Sequence, residues 1–125
     1  MERRASERIR KTLFVELVKE EGSMETSCLN FSDSGMFIRH ESPWELNLGD
    51  KFRLKFNLPG DKVPIVVDGE VVWLSIKEPS HVPHGFGVKF VNMKPHDAQR
   101  IQRYITEAME FRRRILEEKE RTDNL

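Results

Sequence analysis

The segment Lys51-Phe52-Arg53-Leu54-Lys55-Phe56 alternates strictly between charged and apolar side chains. A period of two residues predicts a β-strand with one buried face and one exposed face. The Pro59-Gly60 pair that follows is typical of a tight turn, since proline fixes φ and glycine accepts positive φ. The centre of the chain therefore predicts a sheet of half-buried strands joined by short turns.

Five further segments on either side predict strands. They cover residues 12–19, 24–31, 36–40, 63–75 and 86–91. In the longest of them, Asp68-Gly69 predicts a bulge or a sharp bend, because a glycine inside a strand often marks the point at which a sheet curls. Short strands with regular turn signals predict a mainly β fold, an antiparallel β-barrel over residues 12–94.

The C-terminal segment follows a helical pattern. Pro95 suits the first turn of a helix, and beyond it apolar residues recur at alternating steps of three and four. These residues are Ile101, Tyr104, Ala108, Phe111 and Ile115. The pattern predicts a long helix over residues 95–120 and a tail over residues 121–125. Either the whole stripe packs on the barrel, or its later part, with Leu116, pairs with a second copy in a homodimer.

The composition limits the classes of partner and location. The 125 residues correspond to one small domain, and 21 basic residues balance 21 acidic ones. Zero net charge argues against unspecific binding to a nucleic-acid polymer or a membrane. No apolar stretch approaches the roughly 20 residues that cross a bilayer. The single cysteine, Cys28, excludes an internal disulfide, fits a cytoplasmic location and is expected to be a small core residue.

Residues 1–11 are locally basic and predict a flexible N-terminal arm. Within it, Arg4 and Arg8 are separated by three residues. A guanidinium is planar and permanently charged, and it can bind a phosphate or the O6 and N7 atoms of guanine with two hydrogen bonds. The pair is therefore a candidate for gripping an anionic, guanine-bearing ligand. The alternative interpretation is a solvated basic tail.

Asn30, Ser32 and Gly35 form a second candidate motif at the end of a predicted strand. The amide of Asn30 can donate to or accept from a base edge, and a strand would point Asn30 and Ser32 to one face. Gly35 permits a backbone conformation or a close ligand approach that a side chain would prevent. The alternative interpretation is an ordinary β-turn built from serine, aspartate and glycine.

No pattern in the sequence predicts catalysis or metal binding. His81 and His84 have metal-ligand spacing, but only Glu78 stands near them, and two or three such residues in a proline-containing loop do not make a site. No serine–histidine–aspartate or cysteine–histidine spacing and no phosphate-binding glycine loop is present. The sequence therefore predicts a protein that is not an enzyme and that uses neither a metal nor a cofactor.

Together, and in this order, the two motifs resemble those of the PilZ domain family, R-x-x-x-R followed by [DN]-x-S-x-x-G. The resemblance continues in residues 67–73, which are similar to the family's glycine-bent strand, in residues 85–90, similar to its last strand, and in the closing helix. It implies a six-stranded antiparallel, split-barrel-like β-barrel with a C-terminal helix. It also implies a non-enzymatic bacterial receptor of the second messenger cyclic di-GMP.

The resemblance assigns a role to each motif residue. It places Arg4 and Arg8 on the ligand's phosphates and guanine Hoogsteen edges, Asn30 and Ser32 on guanine edges, and Gly35 as the motif glycine. Asn30 replaces the commoner aspartate and loses a charge-assisted bond, which lowers the expected affinity.

Two further residues are candidates because some members of the family use an equivalent. Arg3 precedes the arginine pair, where some members place another contacting arginine. Trp73 lies on a predicted barrel strand where some members stack an aromatic ring on guanine. For Trp73, a core tryptophan is the alternative interpretation.

Three functional hypotheses follow. The first is a cyclic di-GMP receptor whose arm closes on the ligand and relays binding to an unidentified protein effector in motility, pilus or exopolysaccharide and biofilm regulation. The second is a ligand-independent adaptor of the same fold that acts by protein–protein contact. The third is a small barrel that binds single-stranded nucleic acid, against which the neutral charge and the few strand aromatics count.

Overall fold

The computed structural model describes residues 8–9, 12–40, 45–77 and 82–123. The strands in these residues are β1 (Leu13–Lys19), β2 (Gly22–Phe31), β3 (Gly35–Arg39), β4 (Lys51–Phe56), β5 (Ile65–Lys77) and β6 (Val82–Val91), and one helix, α1 (Pro95–Asp123), follows. All paired strands are antiparallel. They close in the order β1-β2-β3-β6-β5-β4. The predicted six-stranded antiparallel barrel with a C-terminal helix is confirmed.

The core is formed by every second side chain of the strands. In β4, Phe52, Leu54 and Phe56 point inward and are buried, whereas the lysines and the arginine between them are exposed. Burial of apolar side chains on the inner face of each strand is the main force that closes such a barrel. Cys28 is fully buried among them, so its predicted place in the core is confirmed.

Irregularities in two strands change which side chains face outward. The ladder between β5 and β6 shifts between Val71 and Trp73, and the ladder between β2 and β3 shifts between Cys28 and Asn30. At Asp68-Gly69, where the sequence predicted a bulge or bend, the pairing with both neighbours is regular. Gly69 instead makes room inside the barrel, since a Cβ there would lie 2.8 Å from Cδ1 of Leu54.

The first half of α1 covers the barrel. Ile101 and Ile105 are buried, and Tyr104, Ala108 and Met109 are partly buried against the core. Arg100 attaches this half to the loop before β5, because it donates a hydrogen bond to Asp61 at 2.7 Å. It also donates to Asp97 in the first turn of α1 at 2.9 Å. The apolar stripe therefore packs on the barrel only over its first part.

The second half of α1 extends away from the barrel. Phe111 and Ile115 are 61% and 49% exposed, so the alternative in which the whole stripe packs on the barrel is wrong for these two residues. The helix has no proline or glycine after Pro95 and continues to Asp123, beyond the expected end at residue 120. Its 29 residues span about 43 Å at about 1.5 Å per residue. Among the described residues, no helix has both the length and the apolar character needed to cross a membrane.

Candidate functional site

Arg8 lies against the end of β2. Its Nε donates to Oδ1 of Asn30 at 2.8 Å, and its Nη1 donates to Oγ of Ser32 at 3.5 Å. The next residue, Ile9, pairs with Phe31 through two backbone hydrogen bonds of 3.0 and 3.1 Å and is buried. Residues 8 and 9 are therefore docked, unlike the flexible arm predicted over residues 1–11, because the apolar side chain of Ile9 joins the core. The rest of the predicted arm lies outside the described residues.

The turn between β2 and β3 holds Ser32 beneath Arg8. The Oγ of Ser32 lies 2.9 Å from Oγ of Ser34 and accepts the backbone N–H of Ser34 at 3.1 Å. The backbone N–H of Ser32 donates to the carbonyl of Gly35 at 2.9 Å, and the carbonyl of Ser34 accepts from Phe90 at 2.8 Å. Ser32 is fully buried. Its hydroxyl therefore fixes the turn and supports the guanidinium from behind.

A cleft of about 740 Å³ opens in front of Arg8, within the range of roughly 300–1,000 Å³ that is common for small-molecule sites. β2, β3, β5 and β6 form its walls, and Arg8 and Ile9 close one side. Its lining residues are Arg8, Ile9, Asn30, Met36, Phe37, Val72, Trp73, Ser75, His84, Gly87 and Val88. The cleft thus has a cationic and amide end and an aromatic wall.

The aromatic wall is built by Trp73, Phe37 and His84. The rings of Trp73 and Phe37 are tilted, with centroids 5.3 Å apart, and His84 meets Phe37 edge-on at 6.2 Å. Gly87 pairs with both Phe37 and Trp73 across the sheet and has no side chain to separate them. Such offset contacts stabilise aromatic rings in a fixed orientation.

Trp73 faces the cleft because of the shift in the β5–β6 ladder. Val71 is buried, but the next two residues, Val72 and Trp73, are 50% and 55% exposed. A regular strand would have turned one of the two inward. The alternative interpretation of Trp73 as a core residue is therefore wrong, and its indole presents an open face.

The structure brings some predicted residues together and separates others from the cleft. Arg8, Asn30 and Trp73 all line it, whereas Ser32 and Gly35 lie behind it. A Cβ on Gly35 would lie 2.2 Å from the carbonyl oxygen of Val88, so only a glycine at this position lets β3 approach β6 so closely. Arg3 and Arg4 lie outside the described residues.

Two rings of the aromatic wall, Phe37 and His84, are not found from the sequence. The sequence indicates only a strand at Phe37, and at His84 only a metal-ligand spacing with His81, which lies outside the described residues. Within the described residues, no three metal-ligating side chains come together. The signal that could have indicated a large ring beside β6 is its pair of glycines, Gly85 and Gly87. Gly87 pairs with Phe37, and a Cβ on Gly85 would lie 2.2 Å from the ring of Phe37, so both glycines leave room for that ring.

The charges on the cleft residues are unevenly distributed. Arg8 supplies a permanent positive charge at one end, and no carboxylate is among the lining residues that the structure describes. Behind this end, burial raises the pKa of the Cys28 thiol to about 11, although the nearby Arg8 charge opposes the rise. Cys28 is thus neutral at physiological pH and does not offset the positive charge. The cleft is suited to an anion that carries flat rings.

Comparisons with known proteins agree with this architecture. The family model of the PilZ domain matches residues 2–107, most of the chain. No curated protein matches the sequence. The inhibitor of motility MotI/DgrA of Bacillus subtilis is 20% identical with a TM-score of 0.78, over 90% of this chain and 54% of that one.

Two structures from Escherichia coli are also similar. The PilZ domain of YcgR with c-di-GMP is 19% identical with a TM-score of 0.70, over 93% of this chain and 98% of that one. YcgR in complex with c-di-GMP is 20% identical with a TM-score of 0.74, over 93% of this chain and 50% of that one. The chain thus spans about half the length of MotI/DgrA and of YcgR.

Proposed function

Because this chain belongs to the PilZ domain family, we propose that it is a non-enzymatic receptor of cyclic di-GMP and that the cleft in front of Arg8 is its binding site. One observation carries the proposal. The guanidinium of Arg8, held by Asn30 and Ser32, lines the same cleft as the exposed indole of Trp73. Cyclic di-GMP combines phosphates with guanine rings, and the two ends of the cleft match these two chemical features.

Arg8 is oriented by two neighbouring side chains. An arginine side chain is long and flexible, and fixing it on binding would cost conformational entropy. The hydrogen bonds to Asn30 and Ser32 fix part of this freedom through residues of the protein itself. Such preorganisation favours affinity, because less ordering remains to be done on binding. In this proposal Arg8 contacts a phosphate or the Hoogsteen edge of guanine, and Ser32 acts as a positioning residue.

Asn30 and Trp73 complete the proposed contacts with guanine. The amide of Asn30 lines the cleft and has hydrogen-bonding capacity beyond its contact with Arg8. The open face of Trp73 can stack on a base, an interaction worth about 1–3 kcal/mol per base in other nucleotide-binding proteins. Phe37 packs against the indole, with ring centroids 5.3 Å apart.

Arg3 and Arg4 are proposed to close over the ligand. Backbone pairing of Ile9 with Phe31 fixes the point from which the preceding residues extend. Four residues of extended chain reach about 13–14 Å, which is enough for Arg4 to approach a ligand beside Arg8. Closure of this segment would change the surface beside the barrel, and a protein effector could recognise that change.

The adaptor hypothesis makes a different prediction for the same cleft. An adaptor that acts only by protein contact needs no preorganised arginine, yet Arg8 is held by two side chains at the cleft wall. Motility is the output named for MotI/DgrA, which this chain resembles in fold. We propose an output of the same general kind, control of motility or biofilm formation through a partner protein.

Isothermal titration calorimetry with cyclic di-GMP tests the receptor proposal. Arg8→Ala is expected to weaken binding at least about a hundredfold, since hydrogen bonds to charged groups contribute about 1.5–3 kcal/mol each. Arg8→Lys keeps the charge but loses the planar fork, so it should restore only part of the affinity. Arg53→Ala, an exposed arginine on β4 outside this cleft, is the matched control and should bind like the parent.

The outcomes separate the hypotheses. No heat with cyclic di-GMP for the parent protein would overturn the receptor proposal and leave the adaptor. Equal binding by Arg8→Ala and the parent would move the site away from this cleft. Circular dichroism of each variant checks that the barrel is still folded.

A further inference from the structure

The second half of α1, which we call the distal segment (residues 110–123), extends beyond the part of the helix that packs on the barrel. Every residue from Glu110 to Thr122 is exposed. Three of them are large and apolar, with Phe111 61%, Ile115 49% and Leu116 55% exposed. An isolated helix of this length is marginal in water. A continuous apolar strip on an otherwise solvated helix is typical of a face that pairs with another helix.

The net charge of the distal segment changes sign along the helix. Before the apolar pair Ile115-Leu116, three arginines (residues 112–114) outnumber Glu110, and after it four acidic residues (Glu117, Glu118, Glu120 and Asp123) outnumber Lys119 and Arg121. A helix with a net positive first half and a net negative second half is complementary to a second copy running in the opposite direction. A parallel copy would place arginines against arginines and glutamates against glutamates, which is unfavourable.

We propose that the distal segment forms an antiparallel homodimer with a second copy of this chain, with the two-fold axis beside Ile115. In a two-fold interface, residues at equal distances on either side of the axis meet. Ile115 then meets its own copy and Arg112 lies near Glu118, since both charged residues flank Ile115 on the same face of the helix, whereas Arg113 and Glu117 lie on the opposite face. Phe111 packs on the aliphatic stem of Lys119, whose ammonium group remains in water.

The position of the barrels agrees with this orientation. Ile105, the last fully packed residue of α1, is ten residues from Ile115, or about 15 Å along the helix at about 1.5 Å per residue. In the antiparallel arrangement the two barrels lie at opposite ends, with Ile105 and its copy about 30 Å apart. A parallel arrangement would bring both barrels to the same end of the helix pair, where they would compete for space.

The size of the interface predicts a weak dimer that is sensitive to salt. Two segments of fourteen residues form a contact below the roughly 1,200 Å² at which stable interfaces begin. Exposed charge pairs are screened beyond about 8 Å at physiological ionic strength. The dimer should therefore form at micromolar or higher protein concentration and dissociate as sodium chloride is raised. This inference does not depend on ligand binding.

Variants with reversed charges test the proposal. Sedimentation velocity measures their dissociation constants at low salt, from about 5 to about 500 μM protein. Arg112→Glu, and separately Glu118→Arg, should each shift the dissociation constant upward by at least about tenfold, since like charges then face each other. An equimolar mixture of the two variants should form a dimer again, because each of these residues then meets the opposite charge. A monomeric parent over the whole range, or a monomeric mixture, would overturn the proposal.

Cysteine cross-linking fixes the orientation. Ile115→Cys should form a disulfide-linked dimer, because the two copies meet at the axis. Phe111→Cys should not, because its copy would be about 12 Å away along the helix, beyond the roughly 7 Å limit between Cα atoms of a disulfide. Efficient cross-linking at Phe111→Cys would indicate a parallel pair and reject this arrangement. The natural Cys28 is fully buried and does not compete.

Discussion

Gly35 lies so close to Val88 that a Cβ added to it would be 2.2 Å from the Val88 carbonyl oxygen. Gly35 pairs with Lys89 across the β3–β6 ladder. Its φ is not positive, so the glycine is required by the close approach of two backbones and not by an unusual conformation. The same approach positions the turn that holds Ser32 beneath Arg8. The motif glycine thus acts on the cleft through the barrel wall.

Gly35→Ala is expected to destabilise the protein by about 2 kcal/mol or more, because the methyl group forces two strands apart. Urea denaturation followed by circular dichroism measures the loss. Gly87→Ala, in β6, is the matched control: its added Cβ would make only an ordinary contact, 3.4 Å from Trp73. A similar free energy of unfolding for Gly35→Ala and Gly87→Ala would contradict the steric argument.

Trp73→Ala is expected to weaken cyclic di-GMP binding about tenfold to a hundredfold, because one base loses its stacking partner. Trp73→Phe should retain part of the affinity, since a smaller ring still presents a flat face. Calorimetry gives both values. Phe14→Ala removes another exposed aromatic ring, 79% exposed on β1 and outside this cleft, and should leave the affinity unchanged. Unchanged binding by Trp73→Ala would remove the stacking role.

The fold could be predicted from local sequence because its signals are local. The alternation in β4 is a property of six neighbouring residues, and burial of Phe52, Leu54 and Phe56 follows from it directly. Arg8 and Asn30 could be proposed as neighbours because their motifs resemble those of a known family. The resemblance could not show that Ser32 is buried, since this depends on how the turn packs beneath Arg8.

The aromatic wall depends on relations between strands that are distant in sequence. Phe37, Trp73 and His84 belong to three strands, and they meet only through the register in which Gly87 pairs with the first two. The shift in the ladder after Val71 turns Trp73 outward, and nothing in the alternation of β5 specifies this shift. The exposure of Phe111 and Ile115 in the distal half of α1 could not be predicted either. An apolar stripe indicates which face of a helix packs, but it does not indicate how far along the helix the barrel surface extends.

Asp61→Asn should destabilise the protein at neutral pH and have less effect in acid. Hydrogen bonds from Arg100 and from the backbone N–H of Val63 hold the pKa of Asp61 below its ordinary value. A carboxyl group with a lowered pKa contributes stability above its ordinary pKa and loses it as the pH falls through the folded-state pKa. Thermal denaturation of parent and variant at roughly pH 7 and pH 3 measures the difference.

The comparison for this prediction is Asp68→Asn, because Asp68 contacts Arg53 at 3.4 Å in a pair whose side chains are 44% and 61% exposed. Exposed pairs contribute little, so this variant should behave like the parent at both pH values. If the difference between parent and Asp61→Asn is the same at both pH values, the ionised form of Asp61 does not stabilise the attachment of α1.

Cys28 should not react with a thiol-specific disulfide reagent at pH 8 while the barrel is folded. Burial raises the pKa of its thiol to about 11, and the thiolate is the reactive form. One thiol should react after denaturation, when the group regains its ordinary pKa. Because the folded-state pKa is raised, stability should also fall as the pH rises above the ordinary value toward 11. Complete labelling of the folded protein within seconds would contradict this prediction.

Gln102→Ala is expected to weaken cyclic di-GMP binding about twofold to fivefold, although Gln102 does not line the cleft. The amide of Gln102 donates to Asp33, which lies between Ser32 and Ser34 in the turn. Nearby, the rings of Tyr104 and Phe31 stack with centroids 6.1 Å apart. Helix α1 thus supports the turn from one side while Arg8 contacts it from the other. Loss of one hydrogen bond of about 0.5–1 kcal/mol would leave the turn less ordered in the empty protein.

Gln99→Ala is the matched control for this last prediction, because Gln99 is an exposed glutamine one turn earlier on α1. Calorimetry should show parent-like affinity for Gln99→Ala and the reduced affinity for Gln102→Ala. By reciprocity, a ligand that orders the turn must also favour the docked form of α1. Hydrogen exchange should therefore slow around Ile101 and Tyr104 when cyclic di-GMP is added. Unchanged exchange there, together with equal affinities of the two variants, would show that α1 does not sense the site.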